Sequence, residues 1–367
     1  MILLLHNRYR VAGGEERAVQ DLAWLIRTEL DEEVGLLERE SAGLGRREAA
    51  RGLLAGGLDA GDVAGAVAQT GARVVHAHNV LPAWGWRALA AARTAGARVV
   101  LHLHNYRLVC AVGTCFTAGE DCTRCHGRDT RPGVARNCRG GSRAEAAVYG
   151  AALALWQRKL TDAADAFVVP SAFARERLRA LGAPLGDRAH VIPSVQRWFT
   201  GGSTAAQGGY ALYAGRLAEE KGVGDAIAAC RAAQVPLVVA GDGPAAATLR
   251  AAAPDVRFTG RVGAEELAEL RAGAALALVP SRYAEILPLA ALEAMAAGLP
   301  VVASAAGGLA ELVPSAGLHP PGDVPAMAER IRTLWRDAAA GEAALAAVRT
   351  RCAPRAVAAA LRAVYAR

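Results

Sequence analysis

Tyr210-Ala211-Leu212-Tyr213-Ala214-Gly215-Arg216-Leu217-Ala218-Glu219-Glu220-Lys221-Gly222 is the stretch on which the fold turns. The run from Tyr210 to Tyr213 has no polar alternation, which is the pattern of a strand buried on both faces of a parallel sheet covered by helices. The strand ends at Gly215, a charged loop follows, and a helix opens near Gly222. The same unit recurs outward in both directions. Further strands are expected at Ile2–Leu5, Val34–Leu37, Arg73–Ala77, Arg98–Leu103, Phe167–Pro170 and His190–Pro193. Beyond the quoted stretch they fall at Pro236–Ala240, Val256–Thr259, Ala275–Pro280 and Pro300–Ala303. Helical spacing fills the intervals, as in Glu15–Leu30 and Glu265–Ala272. Strand–helix alternation over the whole length gives an α/β class with two doubly wound, Rossmann-like parallel sheets.

The chain has 367 residues, which suits two domains better than one core. Residues 194–209, rich in glycine and other small residues and with neither period, read as the interdomain linker. It separates a first domain, 1–193, from a second, 210–350, and leaves a terminal helix in 351–367. Apolar residues make up 53% of the chain, which excludes a disordered polymer. The 42 basic residues exceed the 35 acidic ones by a formal +7, and only Lys159 and Lys221 are lysines. No apolar run approaches the length of a bilayer span, and Met1–Leu5 is cut off by His6, Arg8 and Arg10, so a cytoplasmic protein is expected. Arginine-rich surface also suits peripheral contact with anionic head groups at the inner face of a membrane.

In doubly wound sheets ligands bind beyond the carboxyl ends of the strands. Arg216 and Lys221, in the loop before a helix N-terminus, form a site suited to a diphosphate. Taken alone, such a loop is more often simply solvated. In Pro280-Ser281-Arg282-Tyr283-Ala284-Glu285-Ile286-Leu287-Pro288-Leu289-Ala290-Ala291-Leu292-Glu293, Pro288 is expected in the first turn of a helix. Glu285 then precedes the helix and Glu293 lies in its second turn. The N–H groups of Leu287 and Leu289 would receive phosphate oxygens, and the carboxylates sugar or ribose hydroxyls. Glu293 stands in an apolar run where an unpaired carboxylate is costly. A glycosidase-type carboxylate pair has no use for the phosphate-binding features around it.

These two segments, with Gly241-Asp242-Gly243-Pro244, Phe258-Thr259-Gly260 and Gly307-Gly308-Leu309-Ala310-Glu311, resemble the donor domain of the retaining glycosyltransferases of family 4 (glycosyl transferases group 1). The resemblance extends to Gly13-Gly14-Glu15-Glu16, Pro170-Ser171-Ala172-Phe173 and Val191-Ile192-Pro193 in the first half. It implies the GT-B fold, two Rossmann-like domains facing a central cleft, and transfer of a sugar from a nucleotide diphosphate-sugar, UDP- or GDP-linked, without a catalytic metal. By the same resemblance Arg216 and Lys221 neutralise the diphosphate, Glu285 contacts the transferred sugar and Glu293 the ribose. Arg261 and Val262 lie near the base, and Gly13 and Gly14 let the backbone approach the sugar phosphate. His104, after the Leu101–Leu103 strand, faces the transferred sugar, while His102 is expected to point into the flanking helices. His76 and His78 are even candidates for acceptor contact or for a structural role. Pro288 departs from the glycine many relatives carry, and Ser194-Val195 replaces a common Asn-Gly.

Between the halves of the first domain, residues 110–143 form an insert holding Cys110, Cys115, Cys122, Cys125 and Cys138. The Cys122-x-x-Cys125 spacing suits one tetrahedral zinc, with Cys110 and Cys138 completing the set and Cys115 or His126 as substitutes. A structural zinc is favoured slightly over free thiols. Arg128, Arg131, Arg136, Arg139 and Arg143 share the insert, and with the apolar helix Ala144–Leu160 they suit a membrane or an anionic acceptor, solvation being the commoner outcome. The reading is a retaining glycosyltransferase acting on a glycan, lipid-linked or small-molecule acceptor, in polysaccharide or glycoconjugate biosynthesis. Its rivals are a sugar-nucleotide epimerase on the same fold and an Arg/Cys-insert nucleic-acid-binding module. The second is disfavoured because no aromatic stacking run accompanies the insert, so no nucleic acid partner is expected.

Overall fold

The structure is a computed structural model describing residues 1–10, 13–139 and 142–366. The chain divides into two units. One comprises Met1–Cys115, Cys122–Val195 and the segment from Pro354, the other Phe116–Asp121 and Gln196–Ala353.

The first unit runs β1 (Ile2–Arg8), α1 (Gly14–Glu29), β2 (Val34–Glu40), α2 (Arg46–Ala55), α3 (Ala60–Thr70), β3 (Val74–Ala77), α4 (Gly85–Thr94) and β4 (Arg98–His102). A two-stranded hairpin, β5 (Phe116–Thr117) and β6 (Glu120–Asp121), interrupts it and belongs to the second unit. The first unit then continues with α5 (Arg131–Ala135), α6 (Arg143–Asp162), β7 (Ala166–Val169), α7 (Ala172–Ala180) and β8 (Ala189–Val191). Its sheet has the order β2-β1-β3-β4-β7-β8 with every pair parallel. Ile2, Leu4, Val74, Val100 and Val168, alternate residues of their strands, bury one face against Val19, Leu22, Leu25 and Ile26 of α1. The winding direction reverses between β1 and β3, so that the carboxyl ends of these two strands flank the crevice where doubly wound sheets hold ligands.

The second unit runs β9 (Tyr210–Ala214), α8 (Val223–Ala233), β10 (Leu237–Ala240), α9 (Ala246–Ala252), β11 (Arg257–Gly260), α10 (Ala264–Ala272) and β12 (Ala274–Val279). It continues with α11 (Leu289–Ala296), β13 (Val301–Ser304), α12 (Leu309–Leu312), β14 (Leu318–His319), α13 (Val324–Leu334) and α14 (Ala338–Cys352). Its parallel sheet has the order β11-β10-β9-β12-β13-β14 and reverses between β9 and β12. Both faces are covered, which explains the unbroken apolar runs. Leu212, Val238, Ala277 and Val301 pack against α11 and α14, while Tyr213, Val239, Leu278 and Val302 pack toward α8 and α13. The last helix, α15 (Pro354–Tyr365), returns Val357, Leu361, Val364 and Tyr365 to the core beneath α1. Arg367, included in the sequence reading of that helix, and residues 140–141 of the insert lie outside the described residues.

Each strand read from the sequence is present. β1 and β2 run further than expected, to Arg8 and Glu40, because their register continues through charged residues that face each other and Arg8 Nη1 reaches Glu40 at 2.9 Å. Three expectations need correction. Residues 194–209 are not a free linker, since Ala205 is fully buried, the Thr200 N–H donates to the Ala296 carbonyl and the Ser203 hydroxyl donates to Gly298. Small residues serve close packing there, not mobility. Pro288 precedes the helix as its N-cap, with extended ψ of 120°, and α11 begins at Leu289. The long helix after the insert, α6, spends its apolar side inside the first unit, with Tyr149, Leu153 and Leu160 buried, and its exposed large apolar side chain is Leu155.

Candidate active site

In the second unit the loops after β9 and β12 deliver charged residues to the switch point. Glu219–Lys221 form a 3-10 turn, and Gly222 caps α8 in the left-handed region at φ 67°. A Cβ at Gly222 would stand 2.0 Å from the Pro280 carbonyl oxygen, so this glycine brings the β9 and β12 loops together. Lys221 Nζ consequently lies 2.9 Å from Glu285 Oε2 and donates to the Tyr283 hydroxyl at 3.2 Å. Burial disfavours the ammonium, but the Glu285 carboxylate and Tyr283 reverse this and raise its pKa above the ordinary lysine value. Burial, with Glu285, pushes Tyr283 up to about 12. The Ser281 hydroxyl donates to Glu285 Oε1, so both oxygens of this buried carboxylate are engaged. The Gly308 N–H donates to the Glu285 carbonyl at 2.7 Å, and Gly307, at φ 63°, brings its backbone against the same residue.

The remaining residues expected in this half are placed nearby along the chain with different partners. Arg216 is exposed and pairs with Glu220 four residues later. Glu293, in the second turn of α11, is half-buried and pairs with Arg271 of α10 through Oε2, leaving Oε1 with no hydrogen bond from the described residues. Leu287 and Leu289 flank Pro288 and are half-buried, and the first-turn N–H groups of α11 have no intrahelical acceptor. Arg261 is exposed and Val262 half-buried immediately after β11. Sequence reasoning missed Ser281, Tyr283, Arg271 and the Arg282–Asp225 pair, which is bidentate at 2.6 and 2.8 Å. Ser281, Arg282 and Tyr283 lie in the loop between β12 and α11, where the sequence points only to the carboxylates and to the N–H groups of Leu287 and Leu289.

In the first unit, α1 opens at Gly13, whose N–H donates to Glu16 Oε2 at 2.7 Å while the Tyr9 N–H donates to Oε1 at 2.9 Å. Burial would raise the Glu16 carboxyl, but the His6 ring 3.8 Å away and these two N–H groups bring it down to about 2. Gly13 and Gly14 are exposed. Gly13 has an ordinary φ of −142°, and a Cβ there would meet nothing closer than a Glu16 oxygen at 3.8 Å. Nothing within the unit therefore requires a glycine at 13.

The carboxyl ends of β1, β3 and β4 gather His6, His76, His78, His102 and His104. His102 does not point away from His104: residues two apart on a strand share a face, and the two rings stack at 3.9 Å. His78 Nδ1 and His104 Nε2 share a hydrogen bond of 2.8 Å, and His76 Nδ1 meets the Tyr365 hydroxyl at 2.6 Å. Burial lowers all four of these histidines, His76 to about 3, and for His104 the carboxylates of Glu15 and Glu16 partly oppose it. All four are therefore neutral near pH 7.

The insert cysteines are not brought together as a tetrahedral set. Among the described residues the metal-ligating side chains that converge within 4.8 Å are His76, His78 and His102, and no cysteine belongs to that group. Cys110 is hydrogen-bonded by the Cys115 thiol, which with backbone N–H groups holds it at about 6, and Arg124 donates to Cys122 Sγ at 3.6 Å. Three of the five insert arginines are tied internally: Arg128 to the Ala154 carbonyl, Arg131 to Asp129, and Arg139 to Glu145 and the Ala111 carbonyl. No helix among the described residues is long and apolar enough to cross a membrane.

Two parallel six-stranded units, each with polar residues at its switch point, define the GT-B class of fold. Residues 10–194 match the family model described as glycosyl transferase 4-like domain, and residues 208–337 that described as glycosyl transferases group 1. The chain belongs to this glycosyltransferase family. It is 40% identical over 101 residues to a GDP-mannose-dependent alpha-mannosyltransferase of Corynebacterium glutamicum, covering 28% of this chain and 24% of the relative. A GDP-mannose-dependent alpha-mannosyltransferase of Mycobacterium tuberculosis is 34% identical over 171 residues, 43% of this chain and 44% of that one. The matched segments thus span less than half of these relatives. Sucrose-phosphate synthase from Thermosynechococcus elongatus superposes with a TM-score of 0.71 at 20% identity over 100% of this chain and 98% of that one. Anabaena HepE in complex with UDP-glucose superposes with a TM-score of 0.67 at 19% identity, over 100% and 99%. At these identities the superpositions establish the fold.

Proposed function

We propose that the protein transfers a hexosyl group from a UDP- or GDP-sugar to a sugar-bearing, lipid-linked or small-molecule acceptor, with retention at the anomeric carbon. The observation that carries this reading is the Lys221–Glu285–Ser281 cluster at the β9/β12 switch point, followed by Glu293 on α11. Its support comes from the nucleotide-sugar chemistry named for the relatives, GDP-mannose in one group and UDP-glucose in another.

In the reaction the bond between the anomeric carbon and the diphosphate oxygen breaks, and the acceptor oxygen bonds to that carbon. The acceptor proton passes to the departing phosphate oxygen. Catalysis then rests on positioning and on stabilising charge at the leaving diphosphate. Lys221, held beside the reacting sugar by Glu285, and the guanidinium of exposed Arg216 supply cations, while Leu287 and Leu289 supply N–H donors. Glu285 accepts from the transferred sugar, and the unengaged oxygen of Glu293 accepts from the ribose. The base rests near Arg261 and Val262. The donor is bound by the second unit and the acceptor by the first, where Gly13 and Gly14 offer an unobstructed backbone to the sugar phosphate and neutral His104 a hydrogen-bonding ring to a sugar hydroxyl. Arg136 and Arg143, exposed on the insert, suit an anionic acceptor or lipid head groups at the inner membrane face.

His104→Ala should abolish most transfer while leaving donor affinity nearly intact, read by radiolabelled transfer beside calorimetric titration of the donor. Full turnover in the variant would remove His104 from the site.

A further inference from the structure

We propose that His76, His78 and His102 form a binding site for a first-row transition-metal ion of the zinc and cobalt kind, at the carboxyl ends of β3 and β4. Residues two apart on β3 place His76 and His78 on one face, and the parallel register that pairs His76 with Val100 sets His102 alongside them. One ring nitrogen from each of the three lies within 4.8 Å of the others. His76 Nε2 and His102 Nδ1 are 3.3 Å apart. Two nitrogens bound to one tetrahedral ion at about 2.0–2.1 Å stand about 3.3–3.4 Å from each other, so this pair already spans an edge of the coordination tetrahedron.

The other nitrogens fit the same assignment. His76 Nδ1 is engaged by the Tyr365 hydroxyl, the outer hydrogen bond that orients a ligating imidazole and leaves Nε2 for the metal. His78 Nδ1 is engaged by His104 Nε2, and His78 Nε2 is buried without a hydrogen-bond partner. His78 is 2% exposed and His76 wholly buried, so an orphaned nitrogen here is costly unless something binds it. The donor set is imidazole alone, which selects zinc, cobalt, nickel or copper over magnesium and calcium. Glu15 and Glu16, 3.9 and 3.8 Å from His6 at the edge of the cluster, add negative charge that favours a cation. Because His104 is bonded to His78, an ion here would also fix the His104 ring.

The test is a Co2+ titration of the full chain after treatment with chelator, followed by visible absorption and by X-ray absorption at the cobalt edge. The expected result is one equivalent of Co2+ with ligand-field bands, nitrogen scatterers of imidazole type and no thiolate-to-cobalt charge-transfer band. His76→Phe and His102→Gln should each weaken Co2+ binding by about tenfold or more. Sulfur scatterers would assign the ion to the insert cysteines and overturn the proposal, as would absence of stoichiometric binding or unchanged affinity in folded variants. Should either variant fail to fold, the ligand count on the wild-type chain decides.

Discussion

Lys221 and Glu285 were expected to serve different ends of the donor, yet they hold each other at 2.9 Å in a largely buried setting. Removing one member leaves the other charge buried and unpaired, a loss of about 3–5 kcal/mol for such pairs. Lys221→Met should therefore lower unfolding free energy in urea as well as suppress transfer; a variant of unchanged stability would mean that the pair is solvated and separable. Glu16 behaves differently. Its carboxyl titrates near 2 in the folded protein against 4.5 for an unperturbed one, so its contribution to stability is fully present above about pH 4.5 and is lost as pH falls toward 2. Glu16→Gln should flatten the dependence of Tm on pH within that window, and a mutant curve merely parallel to the wild type would contradict the assignment.

At the scale of elements, the loop joining β13 to α12 packs against the backbone of Glu285. A Cβ on Gly307 would stand 2.3 Å from the Glu285 carbonyl oxygen, and its φ of 63° disfavours any side chain. Gly307→Ala should cost about 1–3 kcal/mol, seen as a fall in Tm, and should reduce kcat by displacing Glu285. Unaltered kcat alongside lowered Tm would show that the loop strain does not reach the site. The strands themselves were legible because sheets covered on both faces impose uninterrupted apolar runs, as Leu237–Ala240 and Ala274–Val279 show. The loop residues were legible only in type. That Glu293 pairs with Arg271, or Arg282 with Asp225, depends on tertiary approach between elements far apart in sequence, and no periodicity encodes it. The orientation of His102 was within reach, since the two-residue period of a strand already places it beside His104. The glycines of 194–209 marked a boundary between domains without revealing its close packing, because small residues serve flexible and tightly packed backbone equally well.

For the whole molecule, the two cores differ in strand order and in the polar groups they carry. The second sheet, with its order β11-β10-β9-β12, has the nucleotide-binding topology and carries the charged cluster. The first carries the histidines and is completed by α15, contributed from the far end of the chain. Family membership follows from both halves together, residues 10–194 and 208–337 each matching their own model. The central claim of a transferase is that the β9/β12 switch point of the second unit holds a nucleotide diphosphate-sugar. Isothermal titration of UDP-glucose and GDP-mannose into the wild-type chain and into Glu293→Ala tests this directly. At least one donor should bind the wild type, and the variant should lose at least about tenfold in affinity, or about 1.4 kcal/mol. Binding of neither donor, or equal affinity in the two proteins, would contradict it.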